Sequence, residues 1–368
     1  MKKFLVFAFT TLTISIANAQ MDIPPDGANS TAMVSEDIGI TSITIKYHRP
    51  AVKGREGKIW GAVVPYGFNA FNMMAGKLTS PWRAGANEAT TISFEHDVKV
   101  EGKDLKAGTY ALFMGMGKDT VTIIFSKEVE AWGTFFYKPE NDVLRIYVKP
   151  ATLENSVERL KYEFIEQQEK SCVVTMQWEK LMVPFKVEAD VENIVLNRIR
   201  EQLIGPKGFV SGNLVQIARY YFSKNTNLEE ALSWAQRAVT GLPFGQSNYE
   251  TVRTLAIGYE KLNRFPQADS VMNTALLYAS IGQYTGYSRN MITMKRSERA
   301  VEVMLGAQKR YGDVYAVNNG LSYAYSAAGN YTKALEFANK ALSQAPAQAK
   351  PTVTANIEKL KAGKDINQ

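Results

Sequence analysis

The chain has 368 residues, with 43 Lys+Arg against 36 Asp+Glu, two His and one Cys. The length exceeds a typical single domain, so two domains are expected, and an ordinary share of hydrophobic and charged residues argues against wholesale disorder. One cysteine excludes an internal disulfide framework and a Cys-rich metal cluster, and two histidines leave little room for a His-rich one.

The first residues read as an address. Lys2 and Lys3 precede an apolar run from Phe4 to Ile16, and Ala17-Asn18-Ala19 places small residues where a signal peptidase reads. Residues 1–19 are expected to be a secretory signal peptide, cleaved after Ala19. The competing membrane anchor would need a longer apolar run. No Cys lies near the cleavage point, so no lipid anchor is indicated. No later run reaches spanning length, so the mature chain is expected to be soluble and exported, periplasmic or secreted, with no transmembrane segment after cleavage. Such a compartment is usually oxidising. Cys172 shares a parity with Val174, Met176 and Trp178, which places its thiol on the packed face of a strand.

From Ile43 to Val187 the apolar period is two. Predicted strands run through Ile43–Tyr47, Thr90–Phe94, Val98–Val100, Tyr110–Met114, Val121–Phe125, Leu144–Val148, Leu160–Phe164, Cys172–Trp178 and Val183–Val187. Short, closely spaced alternating strands imply an antiparallel β-sandwich or jelly-roll-like domain over residues 20–188. Gly115-Met116-Gly117 looks like a fragment of a phosphate loop, but no helix follows to supply backbone donors. It is expected to be a hairpin turn. His48 and His96 lack metal-ligand spacing, so no metal and no cofactor is expected.

After Val187 the period changes. Val191, Ile194, Val195, Ile199 and Leu203 mark one helix face, which Gly205-Pro206 ends. Residues 189–211 are read as a connecting helix and linker. Beyond them the text repeats. Ala231, Ala268, Ala300 and Ala334 are 37, 32 and 34 residues apart, and Ala238, Ala275, Ala307 and Ala341 show the same gaps. Leu321, Tyr325, Gly329, Tyr331, Ala334, Ala341 and Pro346 sit at offsets that resemble the tetratricopeptide repeat. Small residues let paired helices approach, and the Pro ends the second one. The fold expected is therefore an α+β multidomain chain: an N-terminal antiparallel β-sandwich and, over residues 212–368, a C-terminal all-α tetratricopeptide-like solenoid.

Charge divides at the same place. Residues 20–188 hold 20 Lys+Arg and 22 Asp+Glu, whereas residues 189–368 hold 21 and 14. The basic excess belongs to the helical half, densest at Arg289, Lys295, Arg296 and Arg299, then Lys309 and Arg310. Nucleic acid is a poor partner for an exported chain, and an acidic protein surface or anionic headgroups fit better. Solvated Lys and Arg on outer helix faces are the plainer reading.

Two regions are candidates for binding. In the β half, Arg49, Arg55 and Arg83 lie in Gly-bounded loops at strand ends, where a sheet holds binding residues. They carry planar donors suited to a carboxylate, phosphate or sugar acid, with Trp82 or Trp60 as a stacking face and Asn87 and Glu88 beside them. The plainer alternative pairs Arg55 or Arg83 with Glu88 or Asp37 to brace loops. In the helical half, the repeat register puts Gln216, Tyr220, Lys224, Arg253, Arg289, Asn319 and Tyr323 on the groove-lining face, chemistry that suits an extended peptide. The alternative there fills the groove with the chain's own segment Pro351–Gln368 or with the β-domain.

The β half also carries a resemblance. Tyr47-His48-Arg49-Pro50, Lys53-Gly54-Arg55, Trp60-Gly61, Val64-Pro65-Tyr66-Gly67 and Trp82-Arg83-Ala84-Gly85-Ala86-Asn87-Glu88-Ala89-Thr90 are joined by Leu105-Lys106-Ala107-Gly108-Thr109-Tyr110, Trp132-Gly133, Tyr137 and Asp142-Val143-Leu144-Arg145. This text resembles the domain of unknown function 2911 family of exported bacterial proteins. The resemblance implies a secreted β-domain and brings no established activity. One departure is the stretch from Phe68 to Pro81, with Phe71, Met73 and Met74, which intervenes before Trp82-Arg83 and is placed to cover or extend a site there.

The sequence thus points to an exported, non-catalytic binding or scaffolding protein. Its repeat groove would hold a protein or peptide, and its β-domain loops an anionic or saccharide ligand. The rival is a hydrolase of glycan or peptide acting through Glu88 and His48 near the three arginines.

Overall fold

The computed structural model describes residues 29–69, 79–241 and 243–368. The predicted signal peptide lies outside the described residues, as do Phe71, Met73 and Met74. The chain divides into two compact units, the division falling between Arg198 and Ile199.

The first unit is an antiparallel β-sandwich. One sheet has the order β1-β2-β3-β6-β7-β8, formed by Ser30–Ile38, Thr41–Arg49, Thr90–Phe94, Gly108–Gly115, Val121–Ser126 and Asp142–Val148. The other has the order β5-β4-β10-β9, formed by Lys103–Leu105, Val98–Val100, Ser171–Ala189 and Ala151–Ile165. Period-two patterning decides which face is inside. Ile43, Ile45 and Tyr47 of β2 are buried, while Ser42 and Thr44 face outward and hydrogen-bond Ser35 of β1. Full burial of each such isoleucine contributes about 2 kcal/mol. Across the sandwich, Phe125 of β7 meets Phe185 of β10 edge-on at 6.0 Å. Cys172, Val174, Met176 and Trp178 all lie in this core, at 1% exposure or less.

Two strand expectations change. The predicted strands Cys172–Trp178 and Val183–Val187 are one 19-residue strand, β10, bent at Glu179. There the register with β9 shifts on either side, and Glu179 holds φ +51°. The extra residues lie on β9, where Lys161 to Thr152 faces Gln177 to Leu181, so β10 runs through the irregularity without ending. β1 was not expected. Its inward residues include Ala32 and Glu36, so the apolar alternation that marks a half-buried strand is faint in this edge strand. The hairpin expected at Gly115-Met116-Gly117 does join β6 to β7, but its turn falls later, since Gly115 still pairs with Thr122 and Met116 bridges to Gly67.

The second unit is all-α. Four hairpins follow one another: α2 Ser211–Lys224 with α3 Leu228–Thr240, α4 Tyr249–Lys261 with α5 Phe265–Leu276, α6 Ile281–Thr293 with α7 Ser297–Tyr311, and α8 Tyr315–Ala327 with α9 Tyr331–Gln344. Helix α10, Lys350–Lys361, closes the stack, and α1, Val191–Ile204, precedes it. The recurring alanines lie on the second helices. Ala231, Ala268, Ala300 and Ala334 have no exposed surface, and Ala238, Ala307 and Ala341 likewise. Side chains this small let neighbouring helices close on one another. Asn248 and Ser280 cap α4 and α6, each inside a capping box.

The turn inside each of the last three hairpins needs a left-handed residue five positions before the first alanine. Asn263, Lys295 and Gly329 occupy it, at φ +58°, +59° and +73°. Only the last carries the glycine that the repeat pattern advertises, so the earlier copies read as looser. No described helix is long and apolar enough to cross a membrane.

Candidate functional site

In the β-unit, the end of β2 and the segment between β2 and β3 hold the predicted arginines, and the three do not converge. Arg49 sends its Nε to the Leu160 carbonyl of β9 at 2.9 Å. Arg55 turns back on its own loop and donates to the carbonyls of Val52, at 2.9 Å, and Ala51, at 2.7 Å. Both are half-buried braces. For Arg55 the bracing expectation is right in kind and wrong in partner, because carbonyl oxygens, not Glu88 or Asp37, accept from it. Sequence reasoning missed the other brace of this region. Glu179, paired with Val157 where the register with β9 shifts, is 7% accessible and accepts the Gly57 N–H at 2.5 Å.

Glu88 turns toward His48 instead. Its Oε2 lies 3.2 Å from His48 Nδ1, and His48 Nε2 lies 3.0 Å from the Thr31 hydroxyl. Thr31 and His48 face each other across β1 and β2. The pair named by the hydrolase reading is therefore in contact, with a hydroxyl at its far end. Glu88 is largely exposed and His48 largely covered.

Arg83 differs from the other two. One of its terminal nitrogens donates to the Asn87 carbonyl at 2.7 Å, and its guanidinium lies 5.6 Å from the centre of the Trp132 ring. Asn87 contributes that carbonyl from a left-handed backbone, φ +58°. No carboxylate pairs with Arg83 among the described residues, and burial lowers its pKa from the ordinary value. Trp82 is fixed by backbone bonds to Met114 at 2.8 and 2.7 Å and by its Nε1 donating to Gly85 O at 3.2 Å. Its ring stacks on Trp178 at 6.2 Å and meets Trp60 edge-on at 5.8 Å. Trp60 and Trp82 are thus tied into the core. Trp82 and Arg83 border a cavity of about 320 Å³ whose other walls include Pro65, Ser80, Thr134 and Phe135. The 132–135 segment escaped the sequence reading as a site, although Trp132-Gly133 stood among the matched text.

In the helical unit, α2 neighbours α4 and α6 neighbours α8, so first helices lie side by side. Gln216, Tyr220 and Lys224 are exposed along one line of α2. Arg253 is not available to a partner. It is bonded to both carboxylate oxygens of Glu260, at 3.0 and 2.9 Å, and lies 5.0 Å from the Tyr287 ring centre. The register placed it on the groove face, and a buried acid one helical turn beyond the next drew it in. Arg289, Asn319 and Tyr323 do come together, around a pocket of about 220 Å³ between α6 and α8.

Arg289 and Tyr323 also border an adjoining cavity of about 670 Å³, with Lys295 at its wall. The chain's own end enters there. Ser326 donates to Asp365 at 2.7 Å, Asn367 Nδ2 to the Tyr323 carbonyl at 3.0 Å, and Ile366 is buried. The self-filling alternative therefore holds at this end of the groove, on α8. The basic cluster splits in the same region. Arg296 and Arg299 both bind Asp269, at 2.5 and 3.3 Å, whereas Arg289 and Lys295 have no ion-pair partner among the described residues.

Residues 29–187 match the family model described as protein of unknown function (DUF2911). No curated protein matches the chain. Among solved structures, a tetratricopeptide repeat protein from Parabacteroides merdae is 17% identical, with 47% of this chain and 72% of that one covered and a TM-score of 0.31. PilF of Pseudomonas aeruginosa is 20% identical, with 43% and 70% covered and a TM-score of 0.29. MamA from Desulfovibrio magneticus is 15% identical, with 43% and 95% covered and a TM-score of 0.28.

Proposed function

We propose that this chain, whose β-unit carries the pattern of the DUF2911 family, is an exported non-catalytic binding protein that holds an acidic, extended protein segment in its helical groove. The observation that carries this reading is the pocket between α6 and α8, where Arg289 stands unpaired beside Asn319 and Tyr323. A guanidinium with no internal acid has its fork free for a carboxylate, and amide and phenol groups beside it suit backbone of an extended chain. Lys295 adds a second cation at a left-handed position where glycine or asparagine costs less. The helical half's excess of Lys and Arg, 21 against 14 acids over residues 189–368, favours an acidic partner. Export rests on Lys2 to Ala19, and a cell fractionation with N-terminal sequencing tests it. In the same reading the β-unit holds a second, anionic or saccharide ligand at Arg83.

The groove is tested by fluorescence anisotropy with a labelled peptide rich in Asp and Glu, and with its Lys-rich counterpart. The acidic peptide is expected to bind at low salt, and Arg289→Glu to weaken it at least tenfold. Equal binding of both peptides, or none, counts against the reading.

A second reading has its own observation, the chain Thr31–His48–Glu88. A carboxylate on Nδ1 leaves Nε2 as the acceptor facing a hydroxyl, which is the order of a general-base relay. In that reading the protein hydrolyses an ester or peptide through Thr31. Covalent labelling of Thr31 by a fluorophosphonate, found by mass spectrometry and lost in Glu88→Gln, would support it. An unlabelled Thr31 removes it.

A further inference from the structure

We infer that the β-unit cavity at Arg83 is a site for a sugar acid of uronate type, with the carboxylate on Arg83 and the ring against the cavity's apolar wall. This rests on the reading of the β-unit as an anion- or saccharide-binding domain and names which chemistry it takes.

Three observations define the ligand. The first is charge. Arg83 is half-buried, and among the described residues it meets a carbonyl and an aromatic ring but no acid. Taking a cation out of water without a counter-charge is costly, and a ligand anion supplies the missing charge. Its Asn87 bond uses one terminal nitrogen and leaves the rest of the fork free. Of the three arginines only Arg83 borders the cavity, so the site binds through one guanidinium and takes one carboxylate.

The second is the wall. Val63, Pro65, Pro81 and Phe135 border the cavity with Trp82. Proline and aromatic faces pack against the C–H face of a pyranose as they do against other flat apolar surfaces.

The third is the set of uncharged polar groups on the same cavity. Asn69, Ser80 and Thr134 also border the cavity. Thr134 donates to Ser80, and Ser80 to the Asn69 carbonyl, each at 3.4 Å, longer than the usual range of about 2.5–3.0 Å for a hydroxyl bond. Hydroxyls held so loosely have capacity left for a ligand's own hydroxyls. A plain aromatic acid would leave them unused. A neutral sugar would leave Arg83 uncompensated. A uronate uses both. The cavity, about 320 Å³, is at the small end of ligand sites, which limits the ligand to one or two rings.

The full chain is titrated with D-glucuronate, D-glucose and acetate, read by tryptophan fluorescence and calorimetry, since Trp82 borders the cavity and Trp132 lies under Arg83. Saturable binding of glucuronate is expected, at least tenfold tighter than acetate or glucose. Arg83→Gln should remove it, and Arg83→Lys should weaken it, because an ammonium lacks the fork. Thr134→Val, which keeps the cation, should weaken glucuronate several-fold and leave acetate unchanged. It serves if the Arg83 variants do not fold, as judged by circular dichroism. Acetate binding at Arg83 with glucuronate no tighter overturns the sugar-acid assignment and leaves the anion-binding reading standing. No saturable change with either anion overturns both. Glucuronate binding unaltered in folded Arg83→Gln or in Thr134→Val places the ligand elsewhere and overturns the site.

Discussion

Cys172 and Lys295 show what single residues are asked to do. Cys172 is 1% exposed, and burial raises its thiol to about 11. The thiolate is the reactive form, so the native chain should not react with a disulfide reagent at pH 8, while the denatured chain should react fully. Rapid native labelling would show that the strand opens readily. Lys295 holds a left-handed backbone that asparagine and glycine fill in the neighbouring hairpins. A side chain there costs about 1 kcal/mol relative to glycine. Lys295→Gly should therefore hold or raise stability to urea while weakening the acidic peptide several-fold. A parallel loss of stability would mean that Lys295 supports the fold through contacts of its own. The burial of Cys172 was legible from parity alone, because period two assigns the face. The backbone of Lys295 was not, because nothing in a lysine announces a positive φ.

Among the elements, α4 and α6 meet through a buried network. Glu260 is 7% exposed and bonded to Arg253, which lies over Tyr287. Burial pushes the Glu260 carboxyl above its ordinary value, and Arg253 opposes that without cancelling it. Removing one partner of a buried pair strands a charge, at a cost of about 3–5 kcal/mol, whereas replacing both with apolar groups is close to neutral. Arg253→Met is expected to destabilise the helical unit by that order, and Arg253→Met with Glu260→Met by far less, by urea denaturation. The sign with pH follows from the raised carboxyl. Stability from this group is present at acid pH and lost as pH rises through the folded value. The Arg253→Met deficit should therefore shrink on acidification, as the stranded carboxyl takes up a proton. A deficit independent of pH would place the cost in lost packing. The repeat spacing located the helix carrying Arg253 but not its inward turn, since Glu260 lies seven residues along and acts only once α4 is coiled.

At the scale of the whole molecule the two units carry unlike charge, 20 Lys+Arg to 22 Asp+Glu over residues 20–188 and 21 to 14 beyond. Binding that depends on the second excess must weaken with salt, because exposed charges are screened within about 10 Å at 0.1 M. Capture of the acidic peptide should fall steeply between low and physiological salt, and glucuronate at the half-buried Arg83 should fall much less. Equal salt dependence at the two would mean that Arg83 is a solvent-screened cation.

The sequence by itself determined the class of each half. Alternation and repeat spacing are local patterns, and each strand or helix must bury the face they mark. It also determined which alanines lie between helices, and that Arg289, Asn319 and Tyr323 share a surface, since all three follow from one register. Only the tertiary structure decided between the three arginines. Arg49, Arg55 and Arg83 are alike as text, and each one's role depends on which carbonyls the folded loops and strands bring within reach of its guanidinium and on whether a cavity lies beside it. Leu160 reaches Arg49, and the carbonyls of Ala51 and Val52 fold back on Arg55. For Arg83 the fold supplies one carbonyl and a ring, and leaves the charge beside a cavity. A hydrogen bond acts over about 3 Å, and no pattern along the chain carries that distance.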